Sequence, residues 1–137
     1  MATTKPRVRK VGLAPLRLVG TWVEVLSLTS AEGDATSGIE TRVSSPDVLR
    51  NPGEPQDYFV RLRVWASDPE TCVDLTIAGR FELASGEDDP EAQRMVEYNA
   101  PAILYGVARG IVAAVSAIAG RERLELPSID LARLIDG

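Results

Sequence analysis

Apolar and polar residues alternate along the first two-thirds of the chain, with the period of two that is typical of strands covered on one face. In 71–83, TCVDLTIAGRFEL, the odd positions are almost all apolar. In 57–67, DYFVRLRVWAS, the even positions are apolar, whereas Phe59, Trp65 and two arginines point the other way. The intervening SDPE has the Asp and Pro of a turn, so the two runs are predicted to form an antiparallel hairpin.

Two further strands are predicted before this hairpin. Segment 15–29, PLRLVGTWVEVLSLT, alternates, but its phase changes around Gly20, which indicates a β-bulge or a strand that crosses between environments. Segment 38–44, GIETRVS, alternates again. The stretch 45–56, SPDVLRNPGEPQ, contains three prolines and a glycine and is predicted to be a loop.

A long helix is predicted after the strands. Its start offers Ser85, Asp88 or Asp89 as the N-cap and Pro90 in the first turn. The segment 98–120 contains a single charge, Arg109. At 100° per residue, one arc of this helix carries large side chains and is expected to pack on the sheet. That arc consists of Ile103, Leu104, Val107, Ile111, Val115 and Ile118.

The neighbouring arc of the helix carries only small residues: Gly106, Gly110, Ala113 and Ala117. Because the chain has no second long helix, this arc is predicted to be an oligomer interface with the same helix of another subunit. A third, narrow arc carries Tyr105, Arg109 and Ser116. A membrane span is the alternative, since the length suffices and Gly106 and Gly110 form a GxxxG pattern. Placing Arg109 near the bilayer centre costs about 2.5–3.5 kcal/mol, which favours a core helix.

The order of four strands followed by helices predicts an α+β fold: a four-stranded antiparallel sheet with one long and one short C-terminal helix packed on one face. The length of 137 residues suits a single domain spanning 1–137. The first twelve residues are basic without an apolar segment after them, so they are not a secretory signal, and 1–8 are expected to be frayed.

Composition excludes several classes of function. The net charge of -5 argues against a nucleic-acid binder. The absence of histidine removes the commonest general base and metal ligand, so neither a cofactor nor an enzymatic activity is expected. A single cysteine, Cys72, cannot form an internal disulfide, which fits the cytoplasm. A small enzyme or ligand-binding domain remains an alternative that a dependence on specific carboxylates would revive.

Two motifs in the last third resemble the SecB family of export chaperones. The run Pro101-Ala102-Ile103-Leu104-Tyr105, followed by Ala108-Arg109 and Ile111, is similar to that family's helix motif. The segment LELPSIDLARLI resembles its closing segment, with Asp130 in place of Asn and Leu131 in place of Phe. Gly106, Val107 and Gly110 depart from the pattern, and a short second helix is expected around 129–136.

This resemblance implies an ATP-independent holdase that binds unfolded polypeptides during protein export. It also implies a homotetramer, a dimer of dimers, with the long helices between two sheets. Client-binding candidates are Trp22, Phe59 and Trp65 on outward strand positions, with Leu126 and Leu131 in the closing segment. Arg61 and Arg63 are expected to add hydrogen bonds to the client, and Trp65→Ala is expected to weaken capture.

Two alternatives change the partner. The family's docking residues for the translocase motor have no clear match in PLRLVGTW, so the partner is either that motor or one antitoxin of a toxin–antitoxin system. The other interpretation is that the protein is a purely structural subunit of a larger assembly.

Overall fold

The computed structural model describes residues 15–30, 38–84, 90–120 and 123–136. The predicted N-cap residues Ser85, Asp88 and Asp89 and the basic N-terminal segment lie outside these ranges. Five strands precede two helices: β1 (Leu16–Ser30), β2 (Glu40–Val43), β3 (Asp47–Arg50), β4 (Asp57–Ser67), β5 (Thr71–Leu83), α1 (Pro90–Ile118) and α2 (Leu131–Asp136).

The strands form one antiparallel sheet in the order β1-β5-β4-β2, with β3 also paired to β4. This arrangement, with one long and one short C-terminal helix, confirms the predicted α+β class. The prediction of a loop over 45–56 was wrong for β3, where Val48 pairs with Val60 on the helix side of the sheet. β2 and β3 lie in succession along β4 and are separated at Pro46, whose nitrogen has no hydrogen to donate. They therefore fill one edge position between them.

The predicted hairpin between β4 and β5 is confirmed. Asp68 Oδ1 accepts hydrogen bonds from the amides of Glu70 (2.8 Å) and Thr71 (2.6 Å). The Asp68 amide in turn donates to the Thr71 carbonyl oxygen (2.9 Å). The aspartate thus closes the turn with its side chain, as Asp commonly does.

β1 contains the irregularity predicted at Gly20 and a second one that the sequence did not reveal. Its register against β5 shifts between Leu18 and Gly20 and again between Val23 and Val25. Between the two shifts, Trp22 pairs with Ala78 on the face away from the helix, while Val23 lies on the helix side. Each shift breaks the simple alternation, so β1 presents apolar side chains on both of its faces.

The face of α1 that packs within the chain is centred on a row of every fourth residue. This row comprises Ala92, Val96, Ala100, Leu104, Ala108, Val112 and Ser116, and the adjoining Pro101, Tyr105 and Ala113 are buried as well. Four residues advance the helix by 400°, so this row turns slowly around its axis. The prediction that the large arc packs on the sheet was correct for Leu104, and Val107 and Ile111 are half-buried against the same core. It was wrong for Ile103 and Ile118, which are exposed.

Small residues allow α1 to lie close to the sheet. A Cβ atom added to Gly79 of β5 would stand only 2.8 Å from Leu104 Cδ2 and 3.0 Å from the Phe81 ring. Both Leu104 and Phe81 are fully buried at this contact. The glycine therefore opens the space that Leu104 fills, and alanines on either side of Leu104 keep the helix backbone near the strands.

The polar arc of α1 holds the C-terminal segment. The Tyr105 hydroxyl donates to the Pro127 carbonyl oxygen (2.5 Å), and Arg109 Nε donates to the Leu126 carbonyl oxygen (3.0 Å). About two turns further on, Ser116 Oγ accepts from the Leu124 amide (2.9 Å). α2 follows where the short second helix was predicted.

These contacts bear on the membrane alternative. By length and composition α1 is able to cross a membrane. However, one face of α1 packs on the sheet, and its polar arc, including Arg109, binds the backbone of the same chain. A core helix passes the same test of length, and this packing favours that interpretation.

Candidate functional site

The sheet face opposite α1, here called the outer face, is covered by no element among the described residues. Along β4, alternate side chains point to this face, and they are Phe59, Arg61, Arg63 and Trp65. Each of them is exposed or half-buried, whereas their neighbours Val60, Leu62 and Val64 are fully buried beneath α1. The alternation of β4 therefore separates a packed core from an accessible surface.

An aromatic cluster, consisting of Trp22, Phe59 and Leu49, lies on the outer face. The rings of Trp22 and Phe59 are 5.2 Å apart at their centroids and are inclined by 44°. Trp22 extends across the neighbouring strand β5 to reach Phe59, because it pairs with Ala78, whose side chain is small. Leu49, the β3 partner of Phe59, is 57% exposed, and Trp22 is 42% exposed. Three large apolar side chains thus face solvent together.

The second aromatic position on this face is Trp65. The Arg42 guanidinium lies 5.1 Å from the centre of its ring, within the range of a cation–π contact. Beside it is an open cavity of about 370 Å³, lined by Arg42, Val43, Ser44, Arg63 and Trp65. The cavity is large enough to accept a single bulky side chain from a partner.

Ion pairs between strands frame both aromatic positions. Arg61 donates from Nε and Nη2 to the two carboxylate oxygens of Glu24, each at 2.9 Å. Arg63 forms the same paired contact with Asp74, at 3.0 and 2.7 Å. Each guanidinium thus uses two of its five N–H donors within the chain, and the expectation that Arg61 and Arg63 add hydrogen bonds to a client stays a prediction. The four paired charges offset one another beside the aromatic side chains.

A further pair lies at the end of β4. Arg80 Nε donates to Asp57 Oδ1 (2.8 Å), and the Asn51 side chain donates to Oδ2 (3.2 Å). The hydrogen bond from Arg80 holds the pKa of Asp57 below its usual value, even though partial burial opposes this. The pKa of Asp74 is lowered in the same way by the hydrogen bond from Arg63.

Replacing Asp57 by asparagine is expected to lower the free energy of unfolding at neutral pH. It should also make that free energy less dependent on pH in the acid range. A carboxylate with a lowered folded pKa contributes stability above its unfolded pKa, about 3.9, and loses it as the pH falls through the folded value. Urea denaturation midpoints of wild type and Asp57→Asn, measured from neutral to strongly acidic pH, should therefore converge in acid. Glu40→Gln, which alters an exposed pair with Arg42, should change little at any pH.

The structure brings together some of the predicted client-binding residues. Trp22 and Phe59 are in contact, and Trp65 lies on the same face. Leu126 and Leu131 are buried in the core on the helix side, at 2% and 9% exposure. The two C-terminal leucines therefore lie on the opposite side of the sheet from the outer face.

The predicted oligomer interface is partly accessible. Gly106, Gly110 and Ala117 are exposed, and the space beside both glycines is open. Ala113 is buried within the chain. Three of the four small residues therefore remain accessible for a contact with another subunit, and the interface stays a prediction.

Sequence reasoning missed two contributors to the outer face, Leu49 and Arg42. Leu49 was missed because the prolines and glycine of 45–56 predict a loop, although Val48 and Leu49 lie between two charged residues, as in a short strand. Arg42 alternates with Thr41 and Val43, so its orientation was available from the pattern. Its stacking on Trp65 depends on the register of β2 against β4, which no local pattern specifies.

Within 15–30, 38–84, 90–120 and 123–136, no group of three or more Cys, Asp or Glu side chains is placed to hold a metal ion. Cys72 is half-buried on β5. The absence of a cofactor and of enzymatic activity stays a prediction. Among the described residues, the outer face offers apolar contact area flanked by paired charges.

The fold has counterparts among solved structures. The SecB-like chaperone Rv1957 of Mycobacterium tuberculosis, solved with a ChAD peptide from the Rv1956 HigA1 antitoxin, superposes with a TM-score of 0.62 at 16% identity. That match covers 85% of this chain and 91% of the other. A protein of unknown function from Streptococcus agalactiae matches with a TM-score of 0.55 and 15% identity, over 82% and 97% of the two chains.

Sequence comparison gives no corresponding match: no protein-family model matches the chain, and no curated protein does. The structural likeness nevertheless spans most of both chains. It agrees with the SecB resemblance that the helix and closing motifs carry. The chain therefore has the fold of a SecB-like chaperone.

Proposed function

We propose that this protein is an ATP-independent holdase of the cytoplasm that binds unfolded polypeptides on its outer face. The aromatic cluster of Trp22, Phe59 and Leu49 carries this proposal. Large apolar side chains that face solvent together usually mark a binding surface. The SecB-like fold supports the same function, and a solved protein of that fold holds a peptide.

The outer face suits an extended, non-native chain. Aromatic rings offer a large contact area at low conformational cost, and they accept apolar side chains of many shapes. Arg61 and Arg63 are each paired with a carboxylate, so neither pair favours a client of one charge sign. Burial of client side chains contributes roughly 25 cal/mol per Å² before the cost of ordering the chain.

The test is suppression of aggregation. The purified protein is titrated against an unfolded, aggregating client without nucleotide, and the native mass is measured on the same sample. Suppression at near-stoichiometric ratios supports the holdase. A folded, stable protein that leaves aggregation unchanged at a large molar excess contradicts it.

A dedicated antitoxin is the second candidate client. It is favoured by the solved SecB-like chaperone, which binds an antitoxin peptide, and by the weak match at the family's translocase-docking region. The gene neighbourhood and the range of clients distinguish the two. A toxin–antitoxin pair beside the gene, with capture of that antitoxin alone, favours dedication, whereas capture of many precursors favours export.

We further propose that the chain assembles with itself, as a homotetramer built from dimers. β1 is a sheet edge of fifteen residues without a proline, so its backbone is open to pairing. Val23 and Leu26 of β1 point to the helix side and are each 42% exposed. Ile118 of α1 is 86% exposed on the helix layer. A second copy is the partner that would cover these surfaces.

Replacing Leu26 by lysine is expected to lower the native mass toward the 14.8 kDa of one chain, because it places a charge on this surface. Leu49→Lys, at the opposite edge strand β3, adds the same charge and should leave the mass unchanged. Light scattering coupled to size-exclusion chromatography measures both. An identical mass for Leu26→Lys and wild type would exclude the β1 surface from the assembly.

A further inference from the structure

The segment 123–127, here called the strap, lies along α1 without belonging to a helix or a strand. It is held by the polar arc: Tyr105 binds the carbonyl of Pro127, Arg109 binds the carbonyl of Leu126, and Ser116 binds the amide of Leu124. Every one of these bonds joins a side chain of α1 to the backbone of the strap. Contacts of this kind recognise an extended chain whatever its sequence.

The side chains of the strap alternate between burial and exposure. Leu124 and Leu126 are buried at 1% and 2%, while Arg123 and Glu125 between and before them are exposed. The groove on α1 therefore selects an apolar residue at every second position and tolerates charge at the others. An extended client segment with the pattern apolar-x-apolar satisfies the same requirement.

An opening next to the strap would admit such a segment. A cavity of about 250 Å³ lies where the strap meets α1, and Arg109, Gly110, Ala113, Arg123, Glu125 and Leu126 line it. The guanidinium of Arg109 is at its wall and uses Nε for the strap. An incoming chain can thus contact the groove at this end before the strap has left.

We propose that the groove on α1 is a second polypeptide-binding site, which the strap fills in cis and which an extended apolar-x-apolar segment occupies when the strap is displaced. The groove comprises the surface around Tyr105, Arg109 and Ser116. This site is separate from the outer face and lies across the sheet from it. The nature of its ligand, a non-native client chain, rests on the proposed holdase function.

The test uses the full-length protein and a fluorescent peptide that copies residues 123–131, RLELPSIDL. Leu126→Ala weakens the strap and leaves the groove intact, so it should bind the peptide about tenfold more tightly than wild type, because the apparent affinity scales with the fraction of open groove. Ser116→Ala removes an acceptor that both the strap and the peptide use. It should loosen the strap and weaken the peptide contact to the same extent, so the apparent peptide affinity should stay close to that of wild type. A peptide with serine in place of Leu124 and Leu126 should not bind.

Should Leu126→Ala fail to fold, Pro127→Gly provides the same comparison, because it loosens the strap without removing a groove residue or a buried side chain. Equal peptide affinities in wild type and the folded strap variant, or no binding to either, would overturn the inference.

The aggregation assay distinguishes this inference from the proposed function. Peptide binding that tightens in the strap variant, in a protein that suppresses no aggregation, upholds the groove and contradicts the holdase. Suppression of aggregation without peptide binding upholds the holdase and contradicts the groove.

Discussion

Replacing Leu104 by alanine is expected to lower the free energy of unfolding by about 2–5 kcal/mol. Leu104 is fully buried, and it fills the space that Gly79 leaves open on β5. Truncation removes the transfer free energy of its side chain and leaves a cavity between α1 and the sheet, which the neighbouring alanines are too small to fill. Urea denaturation followed by circular dichroism measures the change.

The adjacent residue provides the matched control. Ile103 belongs to the same predicted arc but is 36% exposed, so Ile103→Ala should cost less than about 1 kcal/mol in the isolated chain. Comparison at several protein concentrations separates folding from assembly, since only a subunit contact makes the effect of Ile103 depend on concentration. Equal losses from the two variants would contradict the assignment of the helix face.

Replacing Trp22 by alanine is expected to weaken client binding by about 2 kcal/mol, roughly thirtyfold, as at a central aromatic residue of an interface. The substitution removes the largest side chain of the aromatic cluster and leaves Phe59 without its ring contact. Because Trp22 is 42% exposed and lies on the outer face, the fold should remain stable. Fluorescence anisotropy of a labelled, permanently unfolded client gives the affinity.

Two variants control this experiment. Trp22→Phe keeps an aromatic ring against Phe59 and should recover most of the affinity. Ile118→Ala alters an apolar residue on the helix layer that is even more exposed than Trp22, at 86%, and it should leave client binding unchanged. A loss of affinity in Ile118→Ala as large as that in Trp22→Ala would show that binding follows exposed apolar surface in general and not the outer face.

Much of the sheet could be predicted because strand burial has a period of two. β4 and β5 each have one fully buried face. In β4, apolar residues therefore occupy every second position from Tyr58 to Ala66 without a break. β3 was missed because it is four residues long and lies between prolines, where no pattern has room to repeat. The second irregularity of β1, between Val23 and Val25, was missed since it changes pairing without a glycine to mark it.

The faces of α1 were the weakest part of the prediction. Side-chain size suggested that the whole large arc packs on the sheet, yet Ile103 and Ile118 are exposed, and Ala100 and Ala108 are fully buried. The reason is the glycine of β5, which lets the helix approach closely and favours small neighbours. A contact of this kind depends on two distant positions, and neither segment reveals it alone.

The aromatic residues of the outer face were predicted from alternation, but their contacts were not. Trp22 meets Phe59 across an intervening strand, and Arg42 meets Trp65 through the register of β2. The leucines of the closing segment were placed by family resemblance, and Leu126 is instead covered by α1. Together with Leu124, it fills the groove on α1 that the strap covers.

The most direct measurement follows the two tryptophans during client binding. The sequence contains two, Trp22 and Trp65, and both lie on the outer face, so the two indole N–H signals in a nitrogen-15 NMR spectrum report on that face alone. Titration with a permanently unfolded client is predicted to shift both signals and to saturate with the binding isotherm. Client binding that leaves both indole signals unchanged would contradict a binding site on the outer face.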